Sequence, residues 1–180
     1  MAYFINLLTL SRILLAAAIF LLLTRPEGYI LAFILFFVAG VTDYFDGYLA
    51  RKYNLTSEIG EILDPIADKI LIVFVLFGLS VNLTSYFIAF MASLIITREI
   101  WVGALRDFNA RKGSSDATRV TFLAKIKTTI QLFTISIYLL ALVLNNMLLV
   151  LFGDIFLFLS LLITWYTGFL YTLNSFKKTT

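Results

Sequence analysis

Six apolar runs, each of roughly twenty residues, set the terms for what this chain can become. They lie near residues 5–23, 28–49, 61–81, 84–106, 121–144 and 149–173. Coiled as an α-helix, a run of that length matches the hydrocarbon thickness of a bilayer. Lipid holds no water to satisfy backbone N–H and C=O groups, so open strands and irregular segments are excluded there. Composition points the same way: 61% of residues are hydrophobic and 14% charged, where soluble domains have about 45–50% and 25%. The expected fold class is all-α, a polytopic membrane protein with six transmembrane helices. The first run opens with "FINLLTLSR", where Asn6, Thr9 and Arg12 interrupt the apolar pattern. That stretch reads as a short interfacial segment. The N-terminus shows neither a basic leader nor a small-residue cleavage site, so the first run is expected to stay. No internal repeat, biased tract or long linker divides the chain, and residues 1–180 read as one domain.

Orientation follows from lysine and arginine. Of the fourteen basic residues, only Arg25 falls in the first, third or fifth connection. By the positive-inside rule, both termini and the second and fourth connections should face the cytoplasm. The net charge of +3 comes from residues flanking apolar runs, which is the membrane pattern and gives no reason to expect nucleic acid as a partner. Cysteine and histidine are both absent. A general base must therefore be a carboxylate, Lys or Tyr, and a metal would have to be a hard cation held by oxygen.

Against this background one polar stretch stands apart. "TDYFDGYLARKYNLTSEIGEILDPIADK", from Thr42 to Lys69, holds six of the eleven acidic residues. Asp43, Asp46, Gly47 and Ala50 share one helical face at the end of the second run, and Gly60, Asp64 and Asp68 share one at the start of the third. The runs are antiparallel neighbours, so the two acidic faces can meet near the cytoplasmic boundary. Four carboxylates so arranged repel unless a positive charge lies among them. Arg51 and Lys69 are near enough to neutralise part of it, and a pair of divalent cations would neutralise all of it and serve displacement at phosphorus. Solvated interfacial charges account for one such Asp, but poorly for four at helical spacing. Glu58 and Glu61 read as loop charges. Pro65 fits the first turn of a helix, or else should kink one that starts near Glu58.

The whole pattern is D-x2-D-G-x2-A-R-x8-G-x3-D-x3-D from Asp43 to Asp68. It resembles the signature of the CDP-alcohol phosphatidyltransferase family at all eight fixed positions. The resemblance implies a bacterial inner-membrane enzyme with six transmembrane helices, a homodimer, using two divalent cations, Mg²⁺ or Mn²⁺, with its active site on the cytoplasmic side. Asp43, Asp46 and Asp64 would hold the metals. Asp68 would take the proton from the acceptor hydroxyl while also touching a metal. Asn6, Thr9, Gly47, Ala50, Arg51 and Gly60 would contact the CDP-lipid. The flanking stretches "NLLTLSR", "TREIWVGALRDF" and "LAKIKTTIQ" are similar to those of bacterial members that use glycerol 3-phosphate as acceptor, with Ala124 standing where that branch would have Gly. The activity implied is transfer of the phosphatidyl group of CDP-diacylglycerol to the 1-hydroxyl of sn-glycerol 3-phosphate, giving phosphatidylglycerophosphate and CMP. The phosphate of that acceptor needs a basic subsite, for which Arg98, Arg106, Lys125 and Lys127 are the candidates; Arg98, two turns deeper, could instead pair with Glu99 or a motif aspartate. Inositol phosphate, serine or phosphatidylglycerol as acceptor, and outside the class a divalent-cation transporter, are the alternatives.

Overall fold

The structure, a computed structural model, describes residues 2–53, 58–113 and 122–177, with side chains at 9–43, 45, 63, 65–113 and 126–177. Six long helices follow one another: α1 (Ala2–Leu22), α2 (Tyr29–Tyr53), α3 (Glu58–Asn82), α4 (Tyr86–Arg111), α5 (Phe122–Leu144) and α6 (Met147–Lys177). Five contain stretches long and apolar enough to cross a membrane. The apolar part of α1 among the described residues is the shorter Thr9–Leu22. The whole helix has 21 residues and so spans about 31 Å. Leu14, Leu21, Ile30, Phe90, Leu148 and Phe169 are among the many large apolar side chains left on the outside, as a lipid solvent requires.

Each helix turns one stripe inward. On α1 the buried positions are Thr9, Arg12, Ala16 and Ile19, spaced three and four apart, and the stripe continues to Leu23 just past the helix end. Thr9 and Arg12 of "FINLLTLSR" thus face the protein interior. The inward stripe of α3 runs through Ala67, Leu71, Val75 and Leu79, and α1 packs chiefly on α3 and α2. Gly78 permits that approach, since a Cβ there would lie 2.9 Å from the Leu23 side chain. The second group is built on α6, which packs against α5 and α4, while α3 joins α4 and α2 reaches α5.

The connections at the end away from the basic loops are tight. Gly28 closes the first, because a Cβ there would meet the Leu22 carbonyl oxygen at 2.2 Å. Asn82 donates from its amide to the Leu23 carbonyl and the Tyr29 hydroxyl, both at 2.7 Å. Ser85 caps α4 by accepting from the Ile88 N–H at 3.2 Å. Tyr138 donates to Asp154 at 2.6 Å, locking α5 to α6.

At the basic end the helices outrun their apolar segments. Only residues 54–57 separate α2 from α3, where the sequence suggested a loop of about ten. Glu58, Gly60 and Glu61 thus belong to a helix, and the reading of the two glutamates as loop charges is corrected. Pro65 lies inside α3 rather than in its first turn. Backbone hydrogen bonds propagate a helix past the bilayer edge whatever the side-chain polarity, which hydropathy cannot register.

Candidate active site

Arg12 is the centre of the acidic site. It sits on α1, completely buried, yet its Nη1 donates to Asp43 of α2 and, at 2.5 Å, to Asp68 of α3. Its Nη2 reaches the Thr9 hydroxyl at 3.4 Å. The two carboxylates are 47% and 43% exposed. The guanidinium pins both, and each keeps part of its surface accessible. Residues 31 and 56 positions from Arg12 are thereby brought to one point. Asp46 and Asp64 stand on the same helices, three residues after Asp43 and four before Asp68; their side chains lie outside the described set, as do those of Asn6, Gly47, Ala50, Arg51, Gly60 and Lys125.

The donor chemistry fits a hard divalent cation. The two described carboxylates converge from separate helices and are partly exposed, and no sulfur or imidazole competes. Among the described residues, no group of three acidic side chains forms a complete metal site; the remaining motif carboxylates belong to the undescribed side chains.

Beside the carboxylates a cavity of about 810 Å³ opens between α3, α4 and α5. Its polar lining comprises Asp68, Lys69, Arg98, Glu99, Arg106, Lys127, Thr128 and Gln131, and its apolar wall includes Ile72, Val73, Leu76, Ile95 and Ile96. Glu99 organises the cations. Its Oε1 accepts from Arg98 at 2.9 Å and from Lys127, and its Oε2 lies 3.9 Å from Lys69. One carboxylate therefore ties three helices. Arg98 is only 4% exposed; it also donates to Thr167 at 2.7 Å and lies across Gly168, where a Cβ would come within 3.0 Å of its Nε. Arg106 stands over the Tyr171 ring, 5.9 Å from its centroid, in cation–π range.

Three of the four basic residues singled out in the sequence, Arg98, Arg106 and Lys127, thus line one cavity with Asp68. Of the two alternatives for Arg98, its ion pair is with Glu99. The sequence reading missed Arg12 as the partner of the aspartates, and gave Glu99 and Gln131 no place in a site. Signals existed. Arg12 follows Asn6 and Thr9 at helical spacing, and Glu99 is a carboxylate inside an apolar run, where an ionisable group marks function by default.

Fold and site together define a polytopic membrane protein whose carboxylates meet a cationic cavity at one end. Comparison with known proteins narrows this. The family described as CDP-alcohol phosphatidyltransferase matches over residues 3–167, and the chain belongs to it. The chain is 35% identical over 133 residues, 73% of each protein, to the CDP-diacylglycerol–glycerol-3-phosphate 3-phosphatidyltransferase of Escherichia coli strain K12. It is equally similar to the enzymes of that name from Escherichia coli O157:H7 and Shigella flexneri serotype 5b.

Proposed function

We propose that this protein transfers the phosphatidyl group of CDP-diacylglycerol to the 1-hydroxyl of sn-glycerol 3-phosphate, releasing CMP and forming phosphatidylglycerophosphate. Membership in the family and the likeness to the named synthases support the reaction. The observation that carries the assignment of residues is the double membership of Asp68. It shares Arg12 with Asp43 and also lines the cavity with Lys69, Arg98, Arg106 and Lys127. A base at that junction stands between a CDP-lipid held on the acidic side and a phosphorylated acceptor held on the cationic side.

In this scheme Asp68 accepts the proton of the 1-hydroxyl as its oxygen attacks the phosphatidyl phosphorus. A new P–O bond forms in line with the one that breaks, and CMP departs with the bonding electrons. Asp43, Asp46, Asp64 and Asp68 would hold two divalent cations, Mg²⁺ or Mn²⁺, which when bound neutralise the diphosphate. Arg12 holds Asp43 and Asp68 in register. Asn6, Thr9, Gly47, Ala50, Arg51 and Gly60 belong to the CDP-lipid side. Arg106 and Lys127, with Lys125, take the acceptor phosphate, and Arg98 works with Glu99 to position Lys127. Ile72, Val73 and Leu76 offer an apolar wall for lipid. The enzyme would act as a homodimer of single-domain chains in the bacterial inner membrane, with its termini and site facing the cytoplasm, where both soluble substrate and product are found.

The test is direct. Purified protein supplied with CDP-diacylglycerol and Mg²⁺ is offered glycerol 3-phosphate, inositol phosphate, serine or phosphatidylglycerol, and CMP is measured. Release with glycerol 3-phosphate alone is the expected result; release with a different acceptor alone would redirect the assignment, and no release with any would remove it.

A further inference from the structure

Tyr171 of α6 is 2% exposed and does not itself line the cavity. Two guanidiniums that do line it lie near the Tyr171 ring, Arg106 at 5.9 Å and Arg98 at 6.0 Å from the centroid. Both distances are within cation–π range. Polar contacts on either side fix the place of the ring against α4. One turn before it, Thr167 accepts from Arg98 at 2.7 Å, and one turn after it, Ser175 accepts from Asn109 at 2.7 Å. The family match ends at residue 167, so geometry alone singles this position out.

The two arginines are held differently. Arg98 is buried and donates to Glu99 and Thr167. Arg106 is exposed, and among the described residues no carboxylate pairs with it. A carboxylate partner would cancel its charge and occupy the N–H donors that a phosphate needs. A neutral ring attracts the cation through its π face and takes none of the donors in the guanidinium plane. We infer that Tyr171 is a positioning residue for acceptor recognition: its ring seats the Arg106 guanidinium at the cavity and leaves the N–H donors for the phosphate oxygens. This rests on the functional reading above, in which Arg106 takes the phosphate of glycerol 3-phosphate.

The experiment measures CMP release by purified protein, with CDP-diacylglycerol and Mg²⁺ present and glycerol 3-phosphate varied. Tyr171→Leu, which removes the ring, should raise the KM for glycerol 3-phosphate by about five- to tenfold. Tyr171→Phe, which keeps the ring, should stay within about twofold of wild type. In both variants kcat and the KM for CDP-diacylglycerol should hold, a split that general loosening of α6 would not produce. In an Arg106→Met background, Tyr171→Leu should add less than about twofold, because the two residues act as one. An unchanged KM in Tyr171→Leu overturns the inference, as does an equal rise in Tyr171→Phe. Effects that multiply with those of Arg106→Met overturn it too, and so does a matching rise in the KM for CDP-diacylglycerol. Should Tyr171→Leu fail to fold, replacement of Tyr171 by a ring-fluorinated phenylalanine decides, since the shape stays while the π face is depleted. Its KM for glycerol 3-phosphate should exceed that of Tyr171→Phe by about threefold, and equal values overturn the inference. A KM indifferent to Tyr171 removes this role and leaves the reaction standing, whereas no CMP from wild-type protein removes the reaction itself.

Discussion

The two ends of the molecule treat polar groups in opposite ways. At the end bearing the tight turns, several polar side chains are closed off within the protein: Tyr138 against Asp154, Asn82 against Tyr29 and the Leu23 carbonyl, Ser85 against the Ile88 amide. At the basic end the pairs stay half open. Asp43 and Asp68 are gripped by Arg12 yet remain partly exposed, and Glu99, Arg98 and Lys127 line a cavity while bonded to each other. Lipid penalises unpaired polar groups, so both ends must supply partners. These groups at the closed end draw their partners from the protein, which holds helices together. The open end keeps some bonding capacity for a ligand.

That contrast can be attacked at several points, beginning where the effect should be largest. Asp68→Asn keeps the shape of the site but removes its proton acceptor. CMP release should fall by about 10²–10⁴ with helical circular dichroism unchanged, and a fall below tenfold would place the base elsewhere. Next comes Arg12→Met, which leaves two carboxylates to repel across the gap. Displacing a reacting group by an ångström costs on the order of a hundredfold, and a loss of that size is expected in the same assay. Arg12→Lys, which keeps the charge but not the fork, should fall between.

Glu99→Gln probes the cationic half. Without the negative charge, Arg98 and Lys127 separate, and the KM for glycerol 3-phosphate should rise by about tenfold, equivalent to roughly 1.4 kcal/mol. Because the residue positions others, kcat and the KM for CDP-diacylglycerol should change little. A fall in kcat at constant KM would instead place Glu99 in the chemical step. The smallest effect belongs to the closed end. Tyr138→Phe should cost about 1 kcal/mol of stability, a drop of roughly 2–4 °C in thermal midpoint, with initial rates unaltered. Any loss of activity there would mean that the two ends are coupled, and the division drawn between them would fail.

Much of this architecture is legible in the linear chain, for a local reason. Backbone groups in lipid must bond within their own segment, so an apolar run of sufficient length is a helix regardless of its neighbours. The number and order of the six helices follow. Boundaries are less legible: α2 and α3 continue past their apolar runs, so Glu58 and Glu61 become helical and Pro65 becomes internal. Asp43 and Asp68 were visible because their fixed spacing is itself a chemical pattern. Arg12 was visible only as a blemish in an apolar run.

By itself, then, the sequence determined the helices, the oxygen-only chemistry forced by missing histidine and cysteine, and the positions of the motif aspartates along two neighbouring helices. Each of these depends on residue type and local spacing. Tertiary structure alone decided that Arg12 would stand between Asp43 and Asp68, and that Glu99 would join α3, α4 and α5. Such meetings depend on how each helix is rotated about its axis and how closely it packs, which small residues such as Gly78 and Gly168 permit. Those rotations are set by contacts among all six helices at once, and no single stretch of chain encodes them.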